Sequence, residues 1–347
     1  MGKFIVIDGS AILVTNYYAN LPKELLWEKD KDKQEELYSK ILHNKNGQYT
    51  NAIYGTMRFL LKLIKEQNPE YMAIVFDKSR NTFRRKLYPE YKAQRSETPT
   101  PLKQQFILIE QILSDIGITV LYDDNYEADD LAGSILHQFE NCNNIQTYFI
   151  TKDVDYMQLI NERTRGWMYL ANKKVQELRE KYYGLWIAPK ECPLPDRIFE
   201  FTESTCEAEY GVKPYQIPDL KGLAGDKSDN IPGVAGVGEA SVIPLLNEYG
   251  TIEAIYEEIE SVSGDKEAEA KLNAFWKECL GISRSPLNKL KENKDIALLS
   301  KQLATIKADC EIDKELENYR VDINKIKMQE VLEDLEFNSL KDFVSKF

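Results

Sequence analysis

Four short apolar runs, Phe4–Ile7, Met72–Phe76, Ile118–Leu121 and Thr147–Ile150, have the length of buried strands. Between them, apolar positions recur at helical spacing. Ile53, Met57, Leu60, Leu61 and Ile64 stop before Asn68-Pro69, and Leu102, Phe106, Ile109, Leu113 and Ile116 stop at Gly117. Strands alternating with helices predict an α/β fold with a mostly parallel sheet flanked by helices. The polar stretch from about 21 to 49 predicts a partly helical surface insertion. Beyond about Thr205 the strand pattern fades. The remainder is helix-forming and acidic, punctuated by the run Gly233-Val-Ala-Gly-Val-Gly238, so a second, all-α domain is expected to begin near there.

Composition narrows the classes. The 347 residues allow one large domain or two moderate ones. No run reaches the ~18–20 apolar residues of a membrane span, and Asp8 interrupts the N-terminal apolar run too early for a signal peptide. The five cysteines are odd in number and never spaced C-x-x-C, which speaks against a disulfide framework or zinc site and for a reducing cytoplasm. With only His43 and His137, chemistry that relies on several histidines is largely excluded. A net charge of −12 points away from nucleic acid at first sight. Its distribution points the other way: Lys78, Arg80, Arg84, Arg85, Lys86, Lys92 and Arg95 cluster against a single acid, Glu90.

Three of the four predicted strands end in an acid: Asp8, Asp77, and Asp153 two residues past TYFI. Open α/β sheets bind ligands beyond the carboxyl ends of their strands, so these acids are expected to meet. One such Asp is commonplace in a turn; three in register with three strands are not. Glu127, Asp129 and Asp130 open a helix, where the dipole alone could account for them, and side chains leaning toward the N-terminus can also converge on a cation there. With Asp155, Asp226 and Asp229 the candidate set comprises nine acids. So many carboxylates together need cations. All-oxygen ligands suit Mg2+ or Mn2+, and two such ions ~3.5–4 Å apart can clamp a phosphodiester.

In chain order, FIVIDGS, AIVFDKS, FRRKLYPEYKAQR, YEADDLA, ITKDVDYMQL and GLAGDKSDNIPGVAGVGEAS resemble the bacterial 5′–3′ exonuclease / flap endonuclease family, which includes the N-terminal nuclease domain of DNA polymerase I. The first motifs are individually weak; GDKSDNIPGVAGVG after the others in the right order is strong. The resemblance implies a PIN-like nuclease core over about 1–205, with a helical arch or clamp at about 78–101. A helical DNA-binding domain over 206–347 would follow, with a helix–three-turn–helix motif at about 219–249. By motif position, Asp8, Asp77, Glu127, Asp129 and Asp130 would serve one metal site, and Asp153, Asp155, Asp226 and Asp229 a second. Arg84, Lys92 and Arg95 would act on the scissile phosphate, and Tyr91 would stack a base. Gly233, Gly236 and Gly238 would admit duplex phosphate at a helix N-terminus, and the same turn would hold K+. The implied partners are DNA 5′ ends, flaps and nicks. A stand-alone, monomeric, cytoplasmic and nucleoid-associated nuclease without membrane attachment is expected.

Three positions depart from the family pattern: Val154 within the DxD segment, and Ala240 and Pro244 where basic residues are usual. Pro244 is expected to kink its helix. The segment 173–204 has no counterpart in the pattern. Two other readings compete, a PIN-like RNase and a non-catalytic DNA-structure-binding protein. Missing acids would mark the latter, and none is missing.

Overall fold

The computed structural model describes residues 1–184 and 194–344. Six strands form one sheet in the order β3-β2-β1-β4-β5-β6, where β1 is Gly2–Asp8, β2 Tyr71–Asp77, β3 Thr119–Asp123, β4 Ile145–Thr151, β5 Thr164–Tyr169 and β6 Ile198–Phe201. All pairings are parallel except β5 with β6. The four predicted strands are β1 to β4. Phe4, Ile5, Val6 and Ile7 are buried on both faces of the sheet, as an apolar run in a central parallel strand should be.

Strand order reverses between β1 and β4, so the crevice at the sheet's carboxyl edge opens where Asp8, Asp77 and the residues after Thr151 emerge. On one face, Ile5 and Ile7 pack with Ile53, Met57, Leu60 and Leu61 of the helix Asn51–Gln67. On the other, Phe4 and Val6 pack with Leu131, Ile135 and Phe139 of the helix Ala128–Phe139.

The 21–49 stretch is partly helical and largely exposed, with helices Lys23–Trp27 and Lys31–Glu36. The segment 173–204 carries most of the helix Asn172–Tyr183 and the antiparallel edge strand β6; residues 185–193 within it lie outside the described residues. The expected division near 205 needs one correction. Helices Lys325–Asp334 and Asn338–Val344 do not stay with the C-terminal helices. Met328, Leu332, Leu340 and Val344 join the cluster of Ile53 and Leu61, so these two helices return to close the first domain's core.

Candidate metal centre and nucleic-acid cleft

Asp8 ends β1 and caps the helix Gly9–Ala19. Its Oδ1 accepts the Ala11 N–H at 2.9 Å, and its Oδ2 accepts the Thr151 hydroxyl at 2.7 Å. Thr151 in turn accepts the Asp153 N–H at 3.0 Å, so one buried hydroxyl ties the ends of β1 and β4 together. Asp77 ends β2; its N–H donates to Ser10 Oγ at 2.8 Å and its Oδ1 accepts the Ala128 N–H at 3.0 Å. Among the described residues, Asp8, Asp77 and Asp153 have no ion-pair partner. Burial pushes Asp8 up to about 7, and the neighbouring Asp77 carboxylate adds to it. Burial likewise raises Asp129 and Asp153 above the usual carboxylate range, against the pull of Arg84 and Lys221 respectively. These are acids short of positive charge.

The other five acids are neutralised by the protein itself. Lys221 pairs with both Asp155 and Asp226. Burial alone would raise Asp226, but Lys221 and the Ser228 donors outweigh it and hold it at about 2. Lys92 pairs with Glu127 and Asp229, and Arg95 pairs with Asp229 at 2.5 Å. Arg84 takes Asp130. With cations interleaved in this way, no three carboxylate, imidazole or thiol groups among the described residues form a ready-made metal cage.

Three of the sequence candidates are buried in this structure. Arg84 is 1% exposed and does not reach the cleft: its N–H groups are spent on Asp130, the Leu303 carbonyl and the Thr305 carbonyl. Asp130 is 0% exposed and also accepts the Glu127 and Lys307 N–H groups, so protein donors occupy its carboxylate. Tyr91 is 3% exposed, with little ring surface open to a base; its hydroxyl donates toward Glu127 and Asp229, each at 3.2 Å. Sequence reasoning also missed Thr151, Lys221 and Ser10. Only their nearness in sequence to candidate acids could have signalled Thr151, Ser10 and Lys221, and nothing local signals the pairing of Lys221 with Asp155.

Between Lys78 and Pro101 the chain forms one short helix, Phe83–Leu87, and a series of turns rather than a long helical arch. The turns are pinned to the second domain. Lys92 N–H donates to the Asp229 carbonyl, Asn230 to the Glu90 carbonyl, and Gln94 to the carbonyls of Lys227 and Ser228. Lys92 adopts a left-handed φ of 54° there. Two cavities flank this clamp. One of about 1020 Å³ runs from Asp8, Asp77 and Asp153 past Lys221 and Asp226 to Gly238. The other, about 640 Å³, is walled by Arg80, Arg85, Lys103, Tyr18 and Phe106. Asp77 and Arg95 line both.

At the glycine turn, Gly233 has a φ of +58°, and a Cβ there would lie 2.2 Å from the Gly225 nitrogen, so only glycine fits. Gly238 caps the helix Glu239–Tyr249, with open space where a side chain would stand.

Two family models match the chain: 5′-3′ exonuclease, N-terminal resolvase-like domain, over residues 3–183, and 5′-3′ exonuclease, C-terminal SAM fold, over residues 212–327. The 5′-3′ exonuclease of Aquifex aeolicus is 30% identical over 349 residues, covering 100% of this chain and 96% of that one. The chain belongs to the 5′–3′ exonuclease family. DNA polymerase I of Caldicellulosiruptor bescii is 33% identical over 97% of this chain, and this chain spans 33% of that protein's length. In fold, the chain is similar to the T5 5′-exonuclease with bound divalent metal ions, at a TM-score of 0.55 and 17% identity over 99% of this chain and 98% of that one. It is likewise similar to the catalytic core of Rad2 in complex with DNA substrate, at 0.55 and 15% identity over 96% and 88%.

Within the 5′–3′ exonuclease family pattern, the three departures can now be placed. Val154 is exposed and lines the larger cavity. Ala240 is exposed beside the glycine turn. The helix Glu239–Tyr249 runs through Pro244 without interruption. At Gly236, where K+ is expected, the Lys289 ammonium donates to the carbonyl at 2.8 Å.

Proposed function

We propose that this chain is a divalent-metal-dependent 5′ nuclease that hydrolyses DNA phosphodiesters at 5′ ends and at single-strand/duplex junctions, as exonuclease and flap endonuclease. One observation carries the reading. Asp8, Asp77 and Asp153, all without a cationic partner among the described residues, leave three neighbouring strands and line one large cleft at the switch point of the sheet. That donor set fits a hard cation: every ligand atom is a carboxylate oxygen, and the raised Asp8, Asp129 and Asp153 are the groups a cation would stabilise in their charged form. Asp8, Asp77, Asp129 and Asp153 would hold Mg2+ or Mn2+. A second ion would compete with Lys221 for Asp155 and Asp226. Bound there, such ions would activate water and offset charge on the phosphate.

The protein's own groups supply position. The larger cavity reaches the open Gly238 cap, which suits duplex backbone. The smaller cavity, with its basic wall and the aromatics Tyr18 and Phe106, suits the single strand. Arg95 stands where they meet, with Lys92 beside it, so both are placed to act on a phosphate bridging the two cavities. K+ at the turn would take the Gly236 carbonyl in place of Lys289.

The test is to incubate labelled 5′-flap, nicked, blunt-duplex and RNA substrates with Mg2+, with Mn2+ and with EDTA, and to size the products. Cleavage of 5′ flaps that stops in EDTA is the expected result. Full activity in chelator overturns the metal reading, and preferential RNA cleavage overturns the DNA reading.

A further inference from the structure

The phenol of Tyr156 is buried, and among the described residues its hydroxyl is one of two buried side-chain polar atoms with no hydrogen-bond partner. A buried hydroxyl left without a partner weakens a fold, so one that persists calls for an explanation. Tyr156 directly follows Asp155, in the short 3-10 turn Val154–Leu159 that leads away from Asp153. Its ring packs on Phe149, at 5.6 Å between centroids, and joins the apolar cluster with Ala128 and Leu131. The ring thus lies between β4 and the start of the helix that carries Asp129. The carboxylates of Asp8, Asp129, Asp77 and Asp153 are the charged groups whose fields reach this phenol. It is a hydrogen-bond donor near four acids, three of them without a cationic partner among the described residues.

We infer that Tyr156 is a positioning residue for the metal centre, whose hydroxyl donates to a carboxylate oxygen of the acid cluster once a divalent cation draws those acids together. The inference rests on the metal reading above. It explains why a donor is kept in an otherwise apolar packing site where phenylalanine would fill the same space. Ligating carboxylates are themselves held by outer hydrogen bonds, and loss of such a partner typically weakens metal affinity about 10- to 100-fold.

Tyr256 supplies an internal control. Its hydroxyl is the other buried one without a partner among the described residues, but it sits in the helix Ile252–Ser261 among Ile255 and Ile259, and Asp295 is the acid whose field it feels. The experiment uses the whole chain and its Tyr156→Phe and Tyr256→Phe variants. Melting in EDTA reads the metal-free fold, and calorimetric titration with Mn2+ reads the centre without reference to activity. Tyr156→Phe should melt in EDTA at the parent's temperature or above it, because an unsatisfied hydroxyl is removed. It should bind Mn2+ at least roughly tenfold more weakly, while Tyr256→Phe binds it as the parent does. Parental Mn2+ affinity in Tyr156→Phe overturns the inference. So does an equal loss in both variants, or a lower melting temperature of Tyr156→Phe in EDTA. A parent chain that binds no Mn2+ sinks the metal reading itself, which is a different result.

Discussion

Arg84 and Asp130 meet in a two-point ion pair, Nη1 to Oδ2 and Nη2 to Oδ1, each at 2.7 Å and both screened from solvent. The remaining Arg84 donors reach Leu303 and Thr305, and Asp130 also accepts from Glu127 and Lys307. One pair therefore fastens the base of the clamp, the helix bearing Asp129 and the second domain. Removing one partner of such a pair leaves a buried charge alone. Arg84→Met should lower the unfolding free energy by about 3–5 kcal/mol in urea titration. Adding Asp130→Asn removes the stranded charge and keeps an acceptor, so it should recover part of that loss. Parental stability with reduced turnover would restore Arg84 to the phosphate.

Asp8 predicts an inverted pH dependence. Its pKa rises from 3.8 to about 7 on folding, chiefly by burial and then by Asp77. Between those values the folded state holds a proton that the unfolded state has lost, so stability falls as pH rises through this window and stays low above it. The shift corresponds to at most about 4 kcal/mol. In chelator, Asp8→Asn should flatten the decline between pH 4 and 7 and exceed the parent in stability at pH 8. Saturating Mn2+ should reverse that order, because the parent gains more from the ion. A parental decline in Asp8→Asn would assign the slope to other groups.

What was legible in the sequence was whatever strand ends alone decide. Asp8, Asp77 and Asp153 follow runs whose apolar character marks them as central strands, and the parallel order then brings them together. β5 was not legible: TRGWMY mixes Arg165 and Gly166 into a buried strand, and no period-two or all-apolar run announces it. Charge pairing was hidden more deeply. Lys221 finds Asp155 across 66 residues and Arg84 finds Leu303 across 219, distances over which local pattern carries no signal. The basic run from Lys78 to Arg95 read as one surface, whereas its short helix and turns send Arg84 inward and leave Arg95 at the cleft.

Lys92 stands between Glu127 and Asp229, at 3.4 Å from the latter, on the boundary of the smaller cavity. Its ammonium can turn from these acids to a phosphate without moving the backbone, which Asp229 holds through its carbonyl. If it acts on charge that develops in the transition state, Lys92→Ala should lower kcat roughly 100-fold or more while the Kd for a 5′-flap substrate changes far less. Single-turnover rates alongside equilibrium binding separate the two. Loss confined to affinity would make Lys92 a positioning contact.

The duplex side should show its missing charge in the salt dependence. Gly238 leaves the start of the helix Glu239–Tyr249 open, but Glu239 is acidic, and Ala240 and Pro244 carry no charge. Fewer phosphates are then neutralised there, and each phosphate contact contributes about −0.9 to the slope of log K against log salt. Ala240 is exposed beside the turn, so a lysine at 240 would fit without repacking. Ala240→Lys should steepen the slope by about 0.9 and tighten duplex binding at low salt. The cut site should not move, because the acids that set it leave the sheet at Asp8, Asp77 and Asp153, away from the turn. Fluorescence anisotropy over a salt series, with product sizing on one 5′-flap substrate, reads both quantities. An unchanged slope would place the duplex elsewhere than on this turn, and cleavage of 3′ flaps as readily as 5′ flaps would undo the two-cavity path altogether.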